Sequence, residues 1–182
     1  MKKLIAAVAL TAITIAAPAF AGEAFTLKSP DIAEGQPLDH QFVLNGFGCE
    51  GGNISPALEW SNAPEGTQSF VITAYDPDAP TGSGWWHWVV FDIPANTTTL
   101  AQGAGSGGVM PDSSVQSRTD FGATGFGGAC PPPGAVHRYE FEVRALGVNK
   151  LGLDENSSAA LVGFMAGANT LATAKITAVY TR

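Results

Sequence analysis

The chain has 182 residues, with 9 Lys plus Arg against 16 Asp plus Glu, a formal net charge of −7. Leaving out Lys2 and Lys3 makes that −9, and so acidic a chain is a poor match for nucleic acid or an anionic membrane surface. Beyond an apolar start about 160 residues remain, enough for one domain with a sizeable core.

Met1-Lys2-Lys3 is a short positive start, Leu4 to Ala17 is apolar apart from Thr, and Pro18-Ala19-Phe20-Ala21 offers an Ala-x-Ala cleavage site. This layout predicts a signal peptide over 1–21 and an exported domain over 22–182, in the periplasm or secreted. The apolar run is shorter than the ~20 residues a spanning helix needs, and no later segment is long and apolar enough, so no membrane span is expected. No cysteine follows the cleavage site, which argues against a lipid anchor.

Gly and Pro recur at short intervals, which favours many short strands. Strands are predicted at 39–44, 57–60, 69–75, 85–92, 137–146 and 175–180. Thr97 to Ser117 reads as a polar, glycine-rich loop. A helix is predicted from Ala159 to Leu171, capped by Ser157 or Ser158, with Leu161, Phe164, Met165 and Ala168 at helical spacing. The pattern is mostly β, an antiparallel sandwich with a helix near the C-terminus.

Alternation sorts two strands into faces. In 137–146, His137, Tyr139, Phe141, Val143 and Ala145 share the inner face. Arg138, Glu140, Glu142 and Arg144 share the other, where the arginines are expected to pair with their glutamate neighbours. In 85–92, strict alternation puts Trp85, His87, Val89 and Phe91 opposite Trp86, Trp88, Val90 and Asp92. Trp86 and Trp88 then read as packing residues and Asp92 as a strand-end or turn residue. If 69–75 runs antiparallel to 85–92, Asp76, Asp78, Trp85 and His87 gather at one end of the sheet.

Cys49 and Cys130 are the only cysteines, and an exported chain with an even count favours a disulfide between them.

The densest chemistry lies in Tyr75 to Trp88, where two carboxylates, a glycine-rich turn, three tryptophans and a histidine crowd together. Buried polar groups need partners, so such a cluster implies a hydrogen-bonded corner or a ligand pocket. Asp76 or Asp78 can orient His87 or His137, leaving the other ring nitrogen for a ligand. Trp85 and Tyr139 would wall such a pocket and offer N–H or O–H donors. Pro77, Pro80, Pro131 and Pro132 stiffen the approaching loops, which lowers the ordering cost of binding. The guest this predicts is small, anionic and partly apolar, such as a phosphate monoester or a phospholipid head group. No His-x-x-x-His or Glu-x-x-His spacing supports a metal site. Gly103-Ala104-Gly105-Ser106-Gly107 matches a nucleophile elbow by letters, and Gly103, Gly105 and Gly108 match a dinucleotide loop. Both lack the flanking strand and helix, so neither a serine nucleophile nor a cofactor is expected.

Asp76-Pro77-Asp78-Ala79-Pro80, then Trp85-Trp86-His87-Trp88, then Cys130-Pro131-Pro132-Pro133-Gly134-Ala135-Val136-His137-Arg138-Tyr139 resemble the motifs of the phosphatidylethanolamine-binding protein (PEBP) family. Asn53 to Trp60 with Pro64-Glu65-Gly66-Thr67 resembles the family's opening pattern. Asp120 to Pro132 is similar to the signature of its bacterial, Raf-kinase-inhibitor-like branch. The likeness covers nearly all of 22–182. It implies an antiparallel β-sandwich with a small anion pocket at one end. By position, Asp76, Asp78, Trp85 and His87 match the first family motif, and Pro131, Pro132, His137 and Tyr139 the second. It further implies a non-catalytic binder of a phosphate-type anion or phospholipid head group. A modulator of a protein partner, a phosphoester hydrolase built on the Asp/His cluster, and a homodimer remain alternatives.

Overall fold

The computed structural model describes residues 23–182; the predicted signal peptide lies outside the described residues. The largest unit is a five-stranded sheet in the order β10-β9-β5-β6-β8. These are β5 (Ser69–Asp76), β6 (Trp85–Pro94), β8 (Val115–Gln116), β9 (His137–Leu146) and β10 (Thr170–Tyr180), paired antiparallel throughout. A three-stranded sheet in the order β1-β4-β7 is built from β1 (Thr26–Lys28), β4 (Leu58–Ser61) and β7 (Thr99–Leu100). A short hairpin joins β2 (Asn45–Gly46) to β3 (Cys49–Glu50).

Both faces of the large sheet are covered, which explains why β5 is an almost continuous buried run instead of an alternating one. Ile72, Val90, Phe141 and Val143 point toward the small sheet and pack with Leu27, Leu58 and Trp60. Val71, Val89 and Phe91 point the other way, onto Val162 and Ala166 of the helix α1 (Ala159–Gly167). Trp88, Phe42, Phe70, Phe91 and Phe141 are among the largest fully buried side chains. Each contributes roughly 1.5–3 kcal/mol of burial. The mostly-β sandwich with one helix near the C-terminus is therefore the architecture observed.

The strands at 57–60, 69–75, 85–92 and 137–146 stand with small changes at their ends. The strand expected at 39–44 is instead a 3-10 turn over His40–Phe42, because the Asp39 carboxylate accepts from the Gln41 N–H at 3.0 Å and caps it. The helix begins at the predicted Ser158 cap but ends at Gly167. There the side chains of Asn169 and Thr170 donate to the carbonyls of Met165 and Ala166, closing the last turn and releasing Thr170 onward as strand. The predicted loop over Thr97 to Ser117 contains β7, a 3-10 turn at Ala104–Ser106 and β8.

The strict alternation expected for β6 also fails, for a specific reason. Ala74 pairs with Trp88 but the next residue, Tyr75, pairs with Trp86, so His87 is an extra residue bulged out of the ladder. The bulge returns Trp85 to the face of Trp88. Trp86 falls on the helix side and stacks on Tyr75 at 4.3 Å between ring centroids. A second slip lies between Ile93 and Val90, and Asp92 within it has φ 56°.

Candidate functional site

The functional side chains gather where β5, β6 and β9 end together. Asp76 is the last residue of β5 and stands opposite Trp85, the first of β6. His137 and Tyr139 open β9 on the same face. Between them lies a cavity of about 160 Å³, lined by Asp76, Trp85, His87, His137 and Tyr139 together with Pro131 and Pro132. Seven of the eight residues predicted as ligand-binding are thus brought together. Asp78 is the eighth and does not line the cavity. Its carboxylate is taken up by Arg138, through the backbone N–H at 2.9 Å, Nε at 2.8 Å and Nη2 at 2.7 Å. The hydrogen bond from Arg138 holds the Asp78 carboxyl down at about 2. Arg138 therefore pairs with Asp78 and not with its glutamate neighbours; Arg144 does pair with Glu142.

His137 Nδ1 donates to Asp76 Oδ2 at 2.7 Å, and both side chains are nearly fully buried. The other Asp76 oxygen accepts from the Asp78 N–H at 2.8 Å, which fixes the turn after β5. His87 is held differently: its Nδ1 lies 2.7 Å from the Gly127 carbonyl. A carbonyl only accepts, so Nδ1 carries the proton and Nε2 is the nitrogen left for the cavity. Burial pushes the His87 imidazole below its usual range, opposed by the Gly127 carbonyl and the Asp76 charge. Tyr139 Oη is buried, with the Cys130 backbone N–H beside it but no acceptor for its own O–H among the described residues. Burial is also the main cause pushing its phenol far above the ordinary tyrosine range, so it stays an O–H donor. A buried donor without a partner costs about 1–3 kcal/mol, which a ligand oxygen would relieve.

The rest of the wall comes from segments that the motif reading did not assign to the site. Phe47, at the tip of the β2–β3 hairpin, and Phe121 both line the cavity, with ring centroids 5.8 Å apart. Phe121 also presents edge contacts to Trp85 and His87, each at 5.3 Å. Gly127 packs directly under Phe121: a Cβ there would lie 2.2 Å from the ring, so only glycine fits. Asn53 Oδ1 accepts from the Gly128 N–H at 2.7 Å and anchors that glycine loop from behind. The sequence signals for these residues were weak, a Gly-Phe-Gly string and an Asn in an opening motif. The predicted disulfide is present: Cys49 and Cys130 are bridged with Cα atoms 6.0 Å apart, and Cys130 lines the cavity. Ser106, the letter-match nucleophile, accepts from the Ser55 N–H at 2.9 Å in a 3-10 turn and is not part of this site. Among the described residues no group of His, Cys, Asp and Glu has the arrangement of a metal site.

The family model for phosphatidylethanolamine-binding protein matches residues 28–181. The UPF0098 protein YbcL of Escherichia coli K12 is 55% identical over 99% of this chain and 98% of its own length. YbhB from the same organism is 56% identical over 85% of this chain and 98% of its own length. The crystal structure of E. coli YbcL, described as a new member of the mammalian PEBP family, superposes with a TM-score of 0.86 over 88% of this chain and 99% of the other. A motif set, a fold and a family match over nearly the same span agree, and this chain belongs to the phosphatidylethanolamine-binding protein family.

Proposed function

We propose that this chain is an exported, non-catalytic binding protein whose cavity holds a phosphate-type anion, free or as a phospholipid head group. The observation that carries the reading is the Tyr139 O–H, buried with no acceptor, beside two imidazoles that line the same 160 Å³ space with Nδ1 already tied. Polar atoms converging in an otherwise apolar, aromatic-walled cavity are the usual make-up of a small-ligand site. The size suits one tetrahedral oxyanion, and Trp85, Phe121 and Phe47 suit an apolar substituent on it. Export is supported by the signal-peptide layout of 1–21 and by the Cys49–Cys130 bridge, which persists in oxidising compartments.

Calorimetry of the protein with inorganic phosphate and with phosphorylethanolamine tests the reading. His87→Ala and His137→Ala are each expected to weaken binding at least tenfold. Unchanged binding in both variants removes the cavity as the site. Turnover of a phosphoester panel by the wild type, lost in both variants, replaces binding by hydrolysis. N-terminal sequencing of the protein recovered from the periplasm or medium is expected to start at Gly22; a start at Met1 in the cytoplasm refutes export.

A further inference from the structure

The two imidazoles of the cavity are both tied by Nδ1, His87 to the Gly127 carbonyl and His137 to the Asp76 carboxylate. A neutral imidazole that has spent its proton at Nδ1 offers only a lone pair at Nε2. His87 is in that state, because its buried ring is held neutral. An oxyanion with no proton of its own would meet that lone pair with another lone pair. Its surroundings do not relieve the conflict. Asp76 on β5 and Asp120 in the loop before Phe121 are the carboxylates acting on His87, and His137 and Tyr139 face it from β9. Among the described residues no Lys or Arg lines the cavity. Arg138 is held by Asp78 outside it, and Arg182 is held by the Pro131 and Gly48 carbonyls. Tyr139 Oη and the Trp85 indole N–H can each supply a donor to a ligand, but neither removes the lone-pair conflict at His87 Nε2 itself.

Resting on the binding reading above, we propose that the cavity takes its oxyanion together with a proton shared between the ligand and His87 Nε2. The proton arrives in one of two ways. A hydrogen phosphate or a phosphomonoester monoanion carries it in and donates to Nε2. A phosphodiester, which has none to give at neutral pH, binds only as His87 takes a proton from the medium and becomes the donor. The fully ionised monoester dianion is therefore the disfavoured form, and the ligand class is the protonated oxyanion.

The test is calorimetry of the wild-type protein between pH 6 and pH 9 with inorganic phosphate and with dimethyl phosphate, each in two buffers of different ionisation enthalpy. The expected result for dimethyl phosphate is uptake of close to one proton and a roughly tenfold loss of affinity per pH unit at the alkaline end. Inorganic phosphate, which keeps a proton of its own throughout this range, is expected to bind with little proton uptake and a much shallower pH dependence. The variant His87→Gln places an amide N–H donor near the position of Nε2. It is expected to bind dimethyl phosphate with little pH dependence. Binding of both ligands by the wild type with no proton exchange overturns this inference and leaves the binding reading intact. Failure of both ligands to bind at any pH overturns the binding reading, and this inference with it.

Discussion

His137 Nδ1 and Asp76 Oδ2 form a 2.7 Å hydrogen bond between side chains that are each 4% exposed, joining the start of β9 to the end of β5. Removing one partner of a buried pair leaves the other uncompensated, at a cost of about 3–5 kcal/mol. His137→Ala is expected to fall near the lower end, because Asp76 keeps the Asp78 N–H. Asp76→Asn retains an acceptor for His137 and is expected to cost less. Urea unfolding of the two variants checks the order.

Tyr139→Phe separates a ligand role from a packing role. The hydroxyl has no acceptor for its proton in the free protein, so its removal is expected to leave thermal stability unchanged or raise it by up to about 1 kcal/mol. Phosphate affinity is expected to fall about tenfold, the scale of a hydrogen bond to a charged group. A large loss of stability would mean that the hydroxyl is engaged in the free protein.

Asp78→Asn is expected to leave anion affinity within about twofold, since the carboxylate belongs to Arg138 and not to the cavity. The sign of its pH effect is fixed. The folded-state value is lowered to about 2, so the pair's stabilising effect is present above the unfolded aspartate value and lost as the pH falls toward 2. The exposed position of Arg138 keeps that effect small, so acid unfolding curves should show a small difference between wild type and variant above pH 4 that disappears as the pH falls toward 2.

Replacing Cys49 and Cys130 together with alanine opens a loop with a sequence separation of 81. The expected loss is about 2–4 kcal/mol. Phosphate affinity should fall as well, because the bridge ties the hairpin that carries Phe47 to the wall at Cys130. Thiol titration of the unfolded, unreduced protein should find no free thiol.

Asp92 is a buried carboxylate in the second bulge of β6, where Oδ1 accepts from the Leu151 N–H at 2.8 Å. Burial pushes its carboxyl up, opposed by that N–H and by Lys150. A raised folded-state value means that stability is greatest below the unfolded value and declines as the pH rises through the folded one. At neutral pH Asp92→Asn is therefore expected to stabilise by about 1 kcal/mol. Asn still accepts from Leu151 and tolerates the φ of 56°. The gain should shrink on acidification, which thermal melts at pH 7 and pH 4 would show.

The sequence alone determined the fold class, the family and most of the site. Alternation over 137–146 put His137 and Tyr139 on the inner face, and the Asp-Pro-Asp and Trp-Trp-His-Trp strings marked the other half. These features are local, so a one-dimensional reading reaches them. Three matters were decided only by tertiary structure. The bulge at His87 is a count of residues against a partner strand, and no period within β6 reveals it. The commitment of Asp78 to Arg138 depends on β9 beginning beside the turn that follows β5. The aromatic wall of Phe47 and Phe121 is assembled by a hairpin and a loop that share no motif. Each of these is a contact between residues far apart in the chain, chosen by packing and hydrogen-bond satisfaction across the whole domain.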